Sequence, residues 1–182
     1  MQLYLIRHPK PEIATGICYG QSDIDVSDLN CRLVFEQLKT ALPTDISMFS
    51  SPLQRCAKLA RLLHRIPRLD ARLMEMHFGK WEMQSWDVID RSEIDAWAAN
   101  VAGYQMVGGE TVIDMAARVI DFLRDLSQKN LHAAAIVAHA GSIRMILAYQ
   151  ANMQARDLAE AVAREKKSIQ FGECIAHQIK LC

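Results

Sequence analysis

The sequence predicts an α/β layered fold, and three observations predict it. Two short, continuous apolar runs, LYLI at 3–6 and AAAIVA at 133–138, have the pattern of strands covered on both faces of a parallel sheet. Stretches with apolar residues at helical spacing lie between them. Strand and helix periods alternate along the chain without repeats, low-complexity tracts or Gly/Ser linkers. With 182 residues, 51% of them hydrophobic, the chain is long enough for one well-packed domain and short for two, so residues 1–182 are read as a single unit.

Taken in order, residues 3–6 form the first buried strand, and Arg7-His8 stand where the apolar run stops. A helix follows over 28–42, and ISMFS at 46–50 is a weaker third strand. A second helix covers 52–66, with Leu53, Ala57, Ala60 and Leu63 on one stripe, Ser51 as its N-cap and Pro52 as its first helical residue. Residues 76–110 break the rhythm with Trp81, Trp86, an acidic helix near 86–100 and then Gly103, Gly108 and Gly109. Such an excursion in an α/β sheet reads as a lid over the site. Its Glu82, Asp87, Asp90, Glu93 and Asp95 either repel polyanionic substrates or form a solvated acidic surface. Helix resumes at 111–128 with Ile113, Ala116, Ala117, Ile120 and Leu123 on one face, then comes the strand at 133–138. Residues 168–181 read as a final strand pair or bent strand turning at Gly172, with an edge at which a homo-oligomer is possible but not indicated.

Composition narrows the partners. Twenty-one basic and 21 acidic side chains cancel, so no overall field draws nucleic acid or an anionic membrane, and any ligand is held by local charges. No window approaches the 18 or so apolar residues of a spanning helix, and MQLYLIRH lacks the length and flanks of a signal peptide, so a cytoplasmic location is expected. Cys18, Cys31, Cys56, Cys174 and Cys182 are odd in number and show no C-x-x-C spacing, which suits reduced thiols in the core.

In a parallel sheet, ligands bind beyond the carboxyl ends of the strands. Arg7 and His8 follow the first strand, His139 follows AAAIVA, and Arg55 lies in the first turn of the helix that SSPLQRC opens. A helix N-terminus attracts anions, and a guanidinium adds a full charge with a bidentate fork. Together they outline a phosphate cradle. A phosphate monoester is close to a dianion, so its transfer needs cations around its oxygens and an uncharged nucleophile, and a neutral imidazole qualifies. His8, stiffened by Pro9 and Pro11, is that candidate. The departing alkoxide needs a proton, for which Glu75, after a probable edge strand, is the first choice and Glu82 the second. His64, His77, His132 and His177 read as structural. No cysteine has an arginine six positions on, DIDVS at 23–27 follows no hydrophobic strand, and GYQMVGGE lacks the Lys-Ser/Thr of a nucleotide loop, so three other phosphate chemistries drop out.

In order, LIRHP, SSPLQRC, LMEMHFGKWE, GGET and VAHAGSIR resemble the histidine phosphatase superfamily, the phosphoglycerate-mutase-like proteins, over residues 3 to about 150. The resemblance implies a three-layer α/β/α sandwich with a mostly parallel sheet, no metal and no cofactor, and a covalent phosphohistidine intermediate. By the same resemblance His8 would be the nucleophile, Arg7 and Arg55 would clamp the phosphoryl group, His139 would steady its transition-state charge and Glu75 would donate the proton and then activate water. Tyr19 and Gly20 fall where relatives place substrate- or phosphate-facing residues. The chain departs from the pattern at Pro9 and Ala140, where relatives carry glycine, and at Ala14, where many carry asparagine; proline removes a backbone donor. RHPKP with GICYG is similar to a compact branch containing α-ribazole phosphatases of cobalamin nucleotide-loop assembly. The expectation is therefore a phosphatase acting on a small phosphorylated metabolite, with α-ribazole 5′-phosphate as leading substrate. The alternatives are a protein phosphohistidine phosphatase, a phosphoglycerate mutase and a non-catalytic phosphate-sensing module.

Overall fold

The structure is a computed structural model describing residues 1–165 and 168–180. Among the described residues five strands form one sheet: β1 (Gln2–Arg7), β2 (Ser47–Ser50), β3 (Arg68–Leu69), β4 (Ala133–Ala138) and β5 (Cys174–Gln178). Their spatial order is β3-β2-β4-β1-β5, parallel throughout except for β5, which runs antiparallel along β1. The helices are α1 (Asp28–Leu38), α2 (Gln54–Leu63), α3 (Arg91–Ala99), α4 (Val112–Ser127), α5 (Ala140–Ala148) and α6 (Ala155–Arg164).

The two central strands β1 and β4 are apolar on both faces, and each face meets a helical layer. Leu3, Leu5, Ala134, Ile136 and Ala138 pack in the cluster built by α4, α5 and α6, with Phe122, Leu123, Ile143, Ile146 and Leu158. On the other face Ile6, Met48, Ala135 and Val137 pack on Val34 and Leu38 of α1 and on Cys56, Leu59 and Ala60 of α2. The result is the three-layer α/β/α sandwich.

The expected elements recur with shifted ends. The first helix stops at Leu38 rather than 42, and Ser27 caps its start by accepting from the Asn30 N–H at 3.2 Å. The second starts at Gln54, because the Ser51 hydroxyl faces His139 instead of capping it. The buried stripe of α4 runs through Met115, Ala116, Val119, Ile120, Leu123 and Leu126; Ala117 is exposed and Ile113 half-buried. The C-terminal strand pair is a single strand preceded by a tight turn at Gly172, and the last part of that reading, with Cys182, lies outside the described residues. No helix among the described residues is long and apolar enough to cross a membrane.

Residues 76–110 carry a 3-10 turn (Gly79–Trp81) and one α-helix, α3, whose Asp90 cap accepts from the Ser92 N–H at 2.8 Å. Two of their acidic side chains are paired locally: Glu93 takes the Trp81 indole N–H at 2.6 Å and the Lys80 ammonium, and Asp95 pairs with Arg91. Behind them Trp81, Trp86, Trp97 and Tyr104 stack into one aromatic cluster with centroid separations of 5.9–6.2 Å.

The entry to α4 closes on a reciprocal cap. The Thr111 hydroxyl accepts from the Asp114 N–H at 3.0 Å, and the Asp114 carboxylate accepts from the Thr111 N–H at 2.9 Å. Thr111→Ala should cost about 1 kcal/mol and lower the melting temperature by roughly 2–4 °C, read by thermal denaturation.

Candidate active site

The site forms where β1, β2 and β4 end at the same rim. Beyond the last rungs of the sheet, the His8 N–H donates to the Ala138 carbonyl at 3.0 Å and the Ser51 N–H donates to the Val137 carbonyl at 3.0 Å. Sheet pairing thus carries one residue past the strand ends and delivers His8, His139 and the segment leading to Arg55 side by side. The two imidazoles lie 5.1 Å apart, edge to face.

His8 is buried, and its Nδ1 lies 2.7 Å from the Pro9 carbonyl oxygen. A carbonyl only accepts, so Nδ1 carries the proton and the lone pair resides on Nε2. Burial, and then the charge of Arg55, push the pKa down to about 3 against the pull of the Pro9 bond, with Arg7 adding to the depression. The ring is therefore neutral at physiological pH. His139, fully buried, is held well below its ordinary value by desolvation and by His8, Arg55, Arg118 and Arg7 around it. Its Nε2 lies 2.9 Å from the Ser51 hydroxyl and 3.4 Å from the Cys56 sulfur.

The two arginines are compensated by dipoles and rings. Arg55, fully buried near the start of α2, donates Nη1 to the Ser22 carbonyl at 2.8 Å and Nη2 to the Gly20 carbonyl, and its guanidinium carbon lies 5.4 Å from the Tyr19 ring centre. Arg7 donates Nη1 to the Ile169 carbonyl, and its guanidinium lies 3.8 Å over the Phe171 ring. Among the described residues neither forms an ion pair, and the buried Nε of each lacks a hydrogen-bond partner.

Glu75 faces them from the loop after β3, separated from that edge strand by a single 3-10 turn (Ala71–Leu73). Its carboxylate accepts from the Met76 N–H at 3.0 Å and the Gly141 N–H at 3.1 Å. Gly141 is what admits it: a Cβ there would stand 2.1 Å from Oε1. Arg118 fixes the loop from below, donating to the carbonyls of Arg72, Met74 and Glu75 at 2.7–2.9 Å while paired with Glu110. Glu82, the second-choice acid, is occupied elsewhere. Although burial raises its pKa, hydrogen bonds from Ser22, Gln21 and Phe78 hold it below the usual value and tie the 20–22 loop to residue 78.

Arg7, His8, Arg55, Glu75 and His139 all line one cavity of about 520 Å³, together with Tyr19. Gly20 does not line it. A Cβ at Gly20 would overlap the Met76 carbonyl at 1.8 Å, and its own carbonyl holds Arg55. The outer wall is aromatic and apolar, with Phe78, Trp86, Trp97 and Val101 from the 76–110 excursion, while Arg144 and Glu165 are its charged members. Of the histidines read as structural, His77 accepts from the Gly79 N–H and His64 from the Ile66 N–H, both within two residues. The sequence reading missed Ser51 as a partner of His139, Gly141, Arg118 and Phe171. Gly141 lies inside the quoted VAHAGSIR, but its reason is a carboxylate 66 residues away.

Comparison with known proteins agrees with this geometry. Residues 3–169 match the family model described as Histidine phosphatase superfamily (branch 1). The chain is 30% identical over 158 residues to "Putative phosphoserine phosphatase 2" of Hydrogenobacter thermophilus, covering 80% of this chain and 76% of that protein. Among solved structures it is similar to TTHB049 of Thermus thermophilus, with a TM-score of 0.72 and 27% identity over 98% of this chain and 93% of that one. It is also similar to a phosphoglycerate mutase structure from the same organism, with a TM-score of 0.71 and 28% identity over 97% and 92% of the two chains.

The buried neutral His8 makes stability depend on pH. Its folded pKa of about 3 lies below the ordinary 6.5, so between those values the unfolded chain binds a proton that the folded protein refuses. Stability therefore falls as pH drops through this window, by roughly 2 kcal/mol at pH 5 from this group. His8→Phe should flatten the fall in denaturation midpoint between pH 7 and 5; an unchanged slope would show that the ring is not buried neutral.

Proposed function

Because the chain belongs to branch 1 of the histidine phosphatase superfamily and is a phosphatase of that type, we propose that it hydrolyses the phosphomonoester of a small metabolite through a phosphohistidine on His8. The observation that carries this reading is the His8 Nδ1 to Pro9 carbonyl bond, which leaves Nε2 as the unprotonated nitrogen of a ring that shares its cavity with Arg7 and Arg55, two cations with no carboxylate partner among the described residues.

The reaction has two steps. His8 Nε2 attacks phosphorus, the P–O bond to the alcohol breaks and protonated Glu75 gives its proton to the leaving oxygen. Glu75, now a carboxylate, takes a proton from water as that water attacks phosphorus; the P–N bond breaks and inorganic phosphate leaves. Arg7 and Arg55 meet the nonbridging oxygens in both steps, and His139 supports the charge that builds on them. Tyr19 flanks Arg55, while Gly20 acts through its carbonyl.

The aromatic outer wall formed by Phe78, Trp86 and Trp97 supports an alcohol half with a flat apolar group, which α-ribazole 5′-phosphate has. A second reading is favoured by a different observation. Arg144 and Glu165 line the same cavity, so its lining is not wholly apolar, and the relative from Hydrogenobacter is named for phosphoserine.

A panel of phosphorylated metabolites containing α-ribazole 5′-phosphate, phosphoserine and 3-phosphoglycerate should give the highest kcat/KM with α-ribazole 5′-phosphate. Turnover should survive EDTA and fall by about 10³-fold or more in His8→Ala. Preference for phosphoserine would establish the second reading, and an active His8→Ala would remove the mechanism. Gly141→Ala, which displaces the Glu75 carboxylate, should lower kcat by about 10²-fold with a smaller change in KM. The loss should shrink for an ester whose leaving group needs no proton, such as 2,4-dinitrophenyl phosphate.

A further inference from the structure

A guanidinium half withdrawn from water, as that of Arg7 is, must be compensated, and the obvious partner, a carboxylate, would cancel its charge and compete for its N–H groups. Arg7 is compensated differently. The Ile169 carbonyl takes Nη1, and the face of Phe171 lies 3.8 Å from the guanidinium carbon. A ring face attracts the cation through its quadrupole and occupies no donor.

The segment that presents this ring is built onto the residues it serves. Residues 170–173 form a turn closed by the Glu173 N–H on the Gln170 carbonyl at 3.1 Å, with Gly172 at φ +75° in its third position, as a type II turn requires. The turn is fastened to the end of β1: the Arg7 N–H donates to the Glu173 carbonyl at 2.9 Å, and the Gly172 N–H donates to the Arg7 and His8 carbonyls at 3.1 and 3.3 Å. A Cβ at residue 172 would stand 2.7 Å from Val34 Cγ2, so a side chain there would crowd α1. Phe171 therefore occupies its second position, 38% exposed, with its ring centre 5.4 Å from that of His8. A side chain this open contributes little to the core.

We propose that Phe171 is a positioning residue of the site, acting through Arg7: its ring face holds the guanidinium in place without neutralising it, so the full charge remains for the phosphoryl group. The inference rests on the reading of Arg7 as a phosphate ligand. Tyr19, 5.4 Å from Arg55, is a looser counterpart.

The test compares Phe171→Leu, which keeps apolar bulk and loses the π face, with Phe171→Trp, which keeps a π face, in the full chain. Inorganic phosphate affinity is measured by calorimetry, and kcat and KM with p-nitrophenyl phosphate. Phe171→Leu should weaken phosphate by about 5- to 30-fold and lower kcat/KM in proportion, at an unchanged melting temperature. Phe171→Trp should stay within about threefold of the parent on both measures. In an Arg7→Met background, Phe171→Leu should change phosphate affinity by less than about twofold, because the two side chains form one unit. Equal damage from Leu and Trp, no effect of Leu, or the full loss persisting without Arg7 would each overturn the proposal. Phosphate affinity is read without turnover, so a protein that binds phosphate through Phe171 and Arg7 yet hydrolyses nothing would sink the proposed activity and leave this role standing.

Discussion

The parallel register of β1 and β2 on β4 is the constraint from which the rest follows. Arg7 lies opposite Ala138 and Ser50 opposite Val137, so the three chains leave the sheet at one level. A slip by one residue would move a strand end by about 3.3 Å and exchange the sets that face the two helical layers. Those sets are not interchangeable. Leu3 and Leu5 meet the three-helix layer of α4, α5 and α6, whereas Ile6 meets the two-helix layer of α1 and α2. Core packing therefore selects the register, and the register brings two imidazoles within 5.1 Å. The arrangement of the candidate site is a consequence of hydrophobic fit several residues away.

That arrangement gathers positive charge, which a protein interior resists. The resistance is met by neutral acceptors: carbonyls of Gly20, Ser22 and Ile169 on the guanidiniums, and the Pro9 carbonyl on His8. Nearby acids are kept from collapsing onto the arginines. Glu82 is saturated by backbone and hydroxyl donors, Glu110 is paired with Arg118, and Glu75 is held by two backbone N–H groups. Burial first, and then these unneutralised cations, depress both imidazoles, so the charges proposed to bind an anion help to keep His8 unprotonated. In the proposed reaction, binding and reactivity draw on the same charges.

Much of this was legible in sequence because it depends on local signals. AAAIVA at 133–138 is read with its true ends, since a strand buried on both faces leaves an uninterrupted apolar run. His8 and His139 directly follow β1 and β4, Arg7 ends β1, Arg55 lies in the first turn of the helix after β2, and strand ends mark the rim of a parallel sheet. The misreadings have tertiary causes. Ser51 looks like a helix cap, but His139, 88 residues on, takes its hydroxyl. Of the two readings of the acidic excursion, pairing of Glu93 and Asp95 with Lys80, Trp81 and Arg91 favours the solvated surface, while aromatic rings of the same segment, which sequence did not mark, reach the cavity. The α6 stripe of Leu158, Ala159 and Val162 was available from spacing and went unread. Phe171 had no such signal, because its meaning lies in a cation 164 residues earlier that only the β1–β5 pairing brings near.

The same atoms explain why the departures from the family pattern are tolerable. Proline at position 9 deletes a backbone N–H, but His8 uses the carbonyl of that residue, which proline retains, and the ring restricts the backbone that aims it. At the start of α5 two small residues stand together, and only one is obligatory. Ala140 lines the cavity with its methyl group, whereas Gly141 leaves no room for a Cβ beside the Glu75 carboxylate. A glycine can therefore be exchanged where the chemistry uses only its carbonyl or its backbone course. It cannot be exchanged where the Glu75 carboxylate occupies the space of a side chain, and that distinction separates residues 9 and 140 from residue 141.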